Sequence, residues 1–110
     1  MNSEPGVIMT TFPDEETADR VLDGLLEKRL AACIQTLPIR SAYRWKGKVH
    51  RDPEILALIK TRTALYPEVE AFLKDRHPYE NPEILVLPAA VGALAYLNWI
   101  DAETRPPESG

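Results

Sequence analysis

Residues 31–61 read AACIQTLPIRSAYRWKGKVHRDPEILALIKT, and this stretch decides the fold. It holds two long β-type runs, residues 31–45 and 49–61, separated by Lys46-Gly47-Lys48. A short glycine-bearing interval between two such runs is the pattern of a tight hairpin. Pro38 and Pro53 each remove a backbone donor, so an irregularity or an edge is expected at both, with Pro53 opposite Pro38. Ile55-Leu56-Ala57-Leu58-Ile59 is apolar at every position, whereas a strand with one solvated face alternates.

Moving outward, residues 6–12 are short and β-branched, which predicts a strand ended by Pro13. Asp14 is a good helix N-cap, and Glu15 and Glu16 suit the first turn of a helix dipole. Ala18, Val21, Leu22, Leu25, Leu26 and Leu30 then recur at helical spacing. On the far side of the hairpin, residues 65–76 form a second helix with Pro67 near its start, where a missing N–H costs nothing. His77-Pro78-Tyr79 and Asn81-Pro82 end it. Residues 83–87 predict a fourth strand with no polar face, and residues 94–104 a third helix carrying Tyr96, Leu97, Trp99 and Ile100.

The order β-α-β-β-α-β plus a terminal helix is the ferredoxin-like α+β arrangement, an antiparallel sheet with two helices on one face. The chain of 110 residues fits one domain, with residues 6–103 as its expected ordered core. Two helices cover one face of the sheet, yet the third and fourth strands are apolar on both. A further copy of the chain is the simplest cover for the remaining face. The hairpin overhang would clasp that neighbour, with Tyr43, Trp45, Ile55, Ala57, Ile59 and Trp99 as expected interface residues.

Composition narrows the function classes. A formal charge of −4 argues against a nucleic-acid-binding surface, and no apolar run approaches the ~20 residues of a membrane span. The N-terminus lacks the basic-then-apolar pattern of a secretory signal, and the single cysteine, Cys33, has no internal partner; both favour the cytoplasm. No Ser-His-Asp or Cys-His constellation can be placed, and residues 10–16 are anionic where a phosphate-cradling loop would be needed, so an enzyme is not expected.

His77 is the foremost metal or acid–base candidate, set against a histidine that simply favours a helix C-terminus. Glu54 and Glu83 border apolar strands and could ligate a hard cation or pair with a base. Lys60 ends the central strand, either paired in a cleft or reaching solvent. His50 reads as a solvated strand residue and Cys33 as a small buried one.

Several strings occur in a fixed order: Leu30-Ala31-Ala32-Cys33-Ile34, Ser41-x-Tyr43-x-Trp45-x-Gly47, Lys60-Thr61, His77-Pro78-Tyr79-x-x-Pro82-Glu83-Ile84 and Tyr96-Leu97-x-Trp99. Together they resemble the CutA divalent-cation tolerance family over residues 7–99. The resemblance implies a homotrimer similar to the PII signalling proteins and a role in tolerance of copper and other divalent metals. It implies no firm cofactor beyond Cu2+ or another divalent cation. Copper ligation in that family is associated with a cysteine at the position of Thr10 and a histidine pair at Arg76-His77, so His77 alone remains of that set. A hydroxyl is a poor copper ligand and a guanidinium is none. The resemblance also places Lys60 and Tyr79 near a subunit-interface pocket. The alternative reading is a PII-like trimer that binds a small anionic ligand or protein partner through Lys60, Arg76 and Tyr79.

Overall fold

The computed structural model describes residues 4–108. Its elements run β1 (Pro5–Phe12), α1 (Glu15–Glu27), β2 (Cys33–Trp45), β3 (Lys48–Arg62), α2 (Tyr66–Arg76), β4 (Leu85–Pro88) and α3 (Leu94–Glu103). A single 3-10 turn, Thr63–Leu65, leads into α2. The sheet order is β2-β3-β1-β4 with every neighbouring pair antiparallel, the ferredoxin-like topology expected from the element order.

Local chemistry accounts for the boundaries. Asp14 caps α1 by accepting from the Thr17 N–H at 2.8 Å. At the hairpin tip Lys46 and Gly47 both take positive φ, 51° and 81°, which is the two-residue turn whose twist matches the flanking strands. That turn pairs Trp45 with Lys48, and the register then runs unbroken to Cys33 opposite Lys60. No bulge occurs at Pro38 or Pro53, and Pro53 lies opposite Arg40 rather than Pro38. Both prolines are tolerated because one side of their strand is open: β2 is an edge strand, and β1 pairs with β3 only as far as Ile55. The fourth strand begins at Leu85, two residues later than predicted, because residues 78–83 fold into a proline-punctuated loop.

The core lies between α1, α2 and one sheet face. Ile8, Phe12, Ala18, Leu25, Leu65, Val69 and Leu73 are inaccessible to solvent. In the register Ile8 faces Ile59 and Thr10 faces Ala57, so Ala57 and Ile59, both 0% exposed, point at the helices. Ile55 packs against the same core. The assignment of Ile55, Ala57 and Ile59 to a subunit interface is therefore corrected: side chains alternate across a strand, and the open face belongs to Leu56 and Leu58. On that face they join Val7, Met9, Leu85 and Leu87, the last two 45% and 51% exposed. α3 covers one end of it, with Ile100 buried and the Arg62 guanidinium donating to Thr104 Oγ1 at 2.9 Å. Tyr43 and Trp99 remain substantially exposed and Trp45 half-buried.

Beyond Ile55, β2 and β3 continue as a free two-stranded arm, and the molecule measures 46 × 26 × 25 Å.

Candidate functional site

The base of this arm and the loop after α2 enclose an open cleft of about 940 Å³. β2 contributes Tyr43 and Trp45, β3 Asp52 and Glu54, and the loop Tyr79, Glu80 and Glu83. Two phenols organise the carboxylates. Tyr79 Oη donates to Glu54 Oε2 at 2.7 Å, and Tyr43 Oη donates to Asp52 Oδ2 at 2.5 Å. Burial, then the adjoining Glu54 carboxylate, pushes the Tyr79 phenol far above its ordinary range. Tyr43 is raised as well, chiefly through its bond to Asp52.

His77 sits behind the cleft. α2 stops at Arg76 because Pro78 follows, and His77 takes extended backbone angles as the C-cap. Its ring stacks on Phe12 at 4.6 Å and tilts against Tyr79 at 4.9 Å. Nε2 lies 2.8 Å from the Thr11 carbonyl oxygen, which can only accept, so Nε2 carries the hydrogen. Nδ1 accepts from the Tyr79 N–H at 3.2 Å. One neutral tautomer satisfies both contacts and leaves no lone pair for a metal ion. Desolvation holds the His77 pKa below its usual value, against the opposing pull of the Thr11 carbonyl and Glu54. Thr10 is fully buried, its Oγ1 3.4 Å from the same Nε2.

Of the expected site residues, the structure brings Glu54, Glu83 and Tyr79 to one cleft, with His77 as the support beneath Tyr79. Among the described residues no group of three His, Cys, Asp or Glu side chains is placed to hold a metal ion. His77 spends both ring nitrogens on the Thr11 carbonyl and the Tyr79 N–H, and the expectation that it ligates a metal ion is corrected on that hydrogen bonding. Lys60 and Arg76 stand elsewhere. Lys60 is six residues along β3 from Glu54, about 20 Å away at strand rise, with its Nζ 6.0 Å from the Tyr96 ring centroid. Arg76 lies over the Phe72 ring at 3.9 Å and bonds Asp75 at 3.2 Å. The anionic-ligand set Lys60, Arg76 and Tyr79 is not assembled in one chain. Sequence reasoning passed over Asp52 and Glu80; Asp52 lies opposite Ser41, one row along the same face from Tyr43, and Glu80 adjoins Tyr79 in the loop.

Sheet order and overhanging arm define a ferredoxin-like α+β domain with an acidic aromatic cleft at the base of the arm. The profile of the family described as CutA1 divalent ion tolerance protein matches residues 6–103, and the chain belongs to that family. It is 45% identical over 100 residues to the divalent-cation tolerance protein CutA of Pectobacterium atrosepticum, covering 90% of this chain and 91% of that protein. A crystal structure of CutA1 from Pyrococcus horikoshii superposes with a TM-score of 0.89 at 39% identity, covering 92% of this chain and 99% of that one. The structure described as the periplasmic divalent cation tolerance protein CutA from Archaeoglobus fulgidus matches with a TM-score of 0.88 at 37% identity, covering 90% and 97%. Among the described residues no helix is long and apolar enough to cross a membrane.

Proposed function

We propose that the chain serves divalent-cation tolerance as a homotrimer, without catalysis. Family membership over residues 6–103 is the observation that carries this reading. The apolar face of Val7, Met9, Leu56, Leu58, Leu85 and Leu87 supports self-assembly, since an uncovered patch of this kind favours association. Tyr43, Trp45 and Trp99 flank it as anchors. Direct cation contacts fall to Glu54 and Glu83, with the remaining coordination positions filled by water or a partner copy. The single cysteine supports a reducing compartment, the cytoplasm.

Light scattering tests the assembly: the trimer mass is expected, and a monomer at micromolar concentration overturns it. Calorimetric titration with Cu2+ and Zn2+ tests the contacts. Weakened binding in Glu54→Gln combined with Glu83→Gln supports the carboxylates. Loss of binding in His77→Gln with the carboxylate variant unaffected would return the site to the imidazole.

A further inference from the structure

The net negative charge conceals a strong segregation. Five of the chain's 13 Lys and Arg residues lie within residues 40–51, which contain no Asp or Glu. Alternation sorts them by face. Arg40, Arg44 and Arg51 share the face that continues the helix-covered side of the sheet, past the ends of the helices. Arg51 pairs across from Ala42, so the three guanidinium groups occupy three successive rows about 6.7 Å apart.

The complement is on α1. Glu15, Asp19, Asp23 and Glu27 recur every fourth residue, a stripe of exposed carboxylates about 6 Å apart and about 18 Å long. Arg20 lies a quarter-turn round the helix from that stripe. Among the described residues, none of these four carboxylates and none of the three arginines makes an ion pair or hydrogen bond through its side chain. All seven are exposed. The two rows are opposite in sign and nearly equal in spacing. They also lie on the same side of the sheet, away from the apolar face.

We infer that the arginine face of the arm docks on the α1 carboxylate stripe of a second copy of this chain. The contact is heterologous, since one surface meets a different one, and it can therefore join assemblies to one another. It goes beyond the trimer reading. Copies that associate through the apolar face leave both the arm arginines and the α1 stripe pointing outward, so this contact links one trimer to the next. A second copy is favoured over a nucleic acid because the complementary charge is supplied by the chain itself, whose acidic residues outside residues 40–51 outnumber the basic ones.

Exposed ion pairs are screened by salt, with a Debye length of about 3 Å at 1 M and about 30 Å at 0.01 M. Sedimentation of the purified full chain at about 0.01 M and about 1 M salt is the test, with the weight-average mass expected to rise at least about twofold at low salt. The mass at high salt reports the trimer, so failure of either reading is distinguishable. Arg44→Glu with Arg51→Glu, and separately Asp19→Lys with Asp23→Lys, should each hold the mass at its high-salt value. An equimolar mixture of the two variants should restore growth, because the acidic arm of one meets the basic helix of the other. A mass independent of salt overturns the inference, as does growth that survives either double variant. Binding of a mixed-sequence oligonucleotide that is lost in the arm variant, with no self-association in the wild type, would assign the arm to nucleic acid instead.

Discussion

Removing the hydroxyl of Tyr79 isolates the bond that organises the cleft. Tyr79 Oη meets Glu54 Oε2 at 2.7 Å, a normal length for a hydroxyl donating to a carboxylate. Hydrogen bonds to charged groups contribute about 1.5–3 kcal/mol, and both partners here are only half-buried, which places this one at the lower end. Tyr79→Phe should therefore cost about 1.5 kcal/mol in urea unfolding at fixed protein concentration. Glu54→Gln keeps an acceptor and loses only the charge, so about 0.5–1 kcal/mol is expected. The double variant should cost clearly less than the sum of the two single variants, because the second change removes nothing once the bond is gone. Alkaline ultraviolet titration supplies a second readout on the four tyrosines. Burial is the larger cause of the raised Tyr79 phenol and Glu54 the next, so Glu54→Gln should lower its ionisation only in part. Additive single costs, together with a phenol titration unchanged by Glu54→Gln, would refute the reasoning.

Three further outcomes follow from particular contacts. Gly24 stands where an added Cβ would meet the Phe72 ring tip at 2.5 Å, so Gly24→Ala should destabilise by about 1 kcal/mol although helix propensity alone predicts a gain of similar size; Phe72→Leu in the same chain should reverse the sign, and denaturant midpoints decide. His77 has a folded pKa below its unfolded value near 6.5, so the stability it contributes is complete above that pH and is lost as pH falls through the lowered value; in His77→Gln this acid-limb slope, measured by urea unfolding across pH 4–8, should be reduced. Ile59→Ala should cost about 2–4 kcal/mol as a core truncation, whereas Leu58→Glu on the open face should leave the fold intact by circular dichroism and reduce the mass seen by light scattering.

How much of this was legible in the sequence depends on which interactions are local. The Asp14 cap, a tight turn within Lys46-Gly47-Lys48 and the order of elements rest on neighbours in the chain, and they stand as read. His77 does not, because its fate rests on the Thr11 carbonyl, 66 positions away, and no pattern of residue types reports a lone pair already spent. The cleft is equally non-local: Glu54 and Tyr79 meet only because β3 overhangs β1 and the loop after α2 folds up beside it.

The facing of β3 is a different case, because its signal was present. Residues 55–59 are apolar throughout, so that strand alone is silent on which half faces the helices. Its partner is not. Once the two-residue turn pairs Trp45 with Lys48, the whole hairpin register follows, and Ile34 must lie opposite Ile59 while Cys33 and Gln35 lie opposite Lys60 and Leu58. One face then holds Ile34, Ala57 and Ile59, and the other carries Gln35 and Lys60. A helix-covered core excludes an uncompensated amide and ammonium, so the face with Gln35 and Lys60 has to be the open one. Leu56 and Leu58 go with it. The same register shows why that open face mixes leucine with polar groups. α1 and α2 leave it uncovered and α3 covers only one end, where Lys60 reaches over the Tyr96 ring. Turn chemistry fixes register, register sorts the faces, and the faces separate the core under α1 and α2 from the apolar surface they leave open.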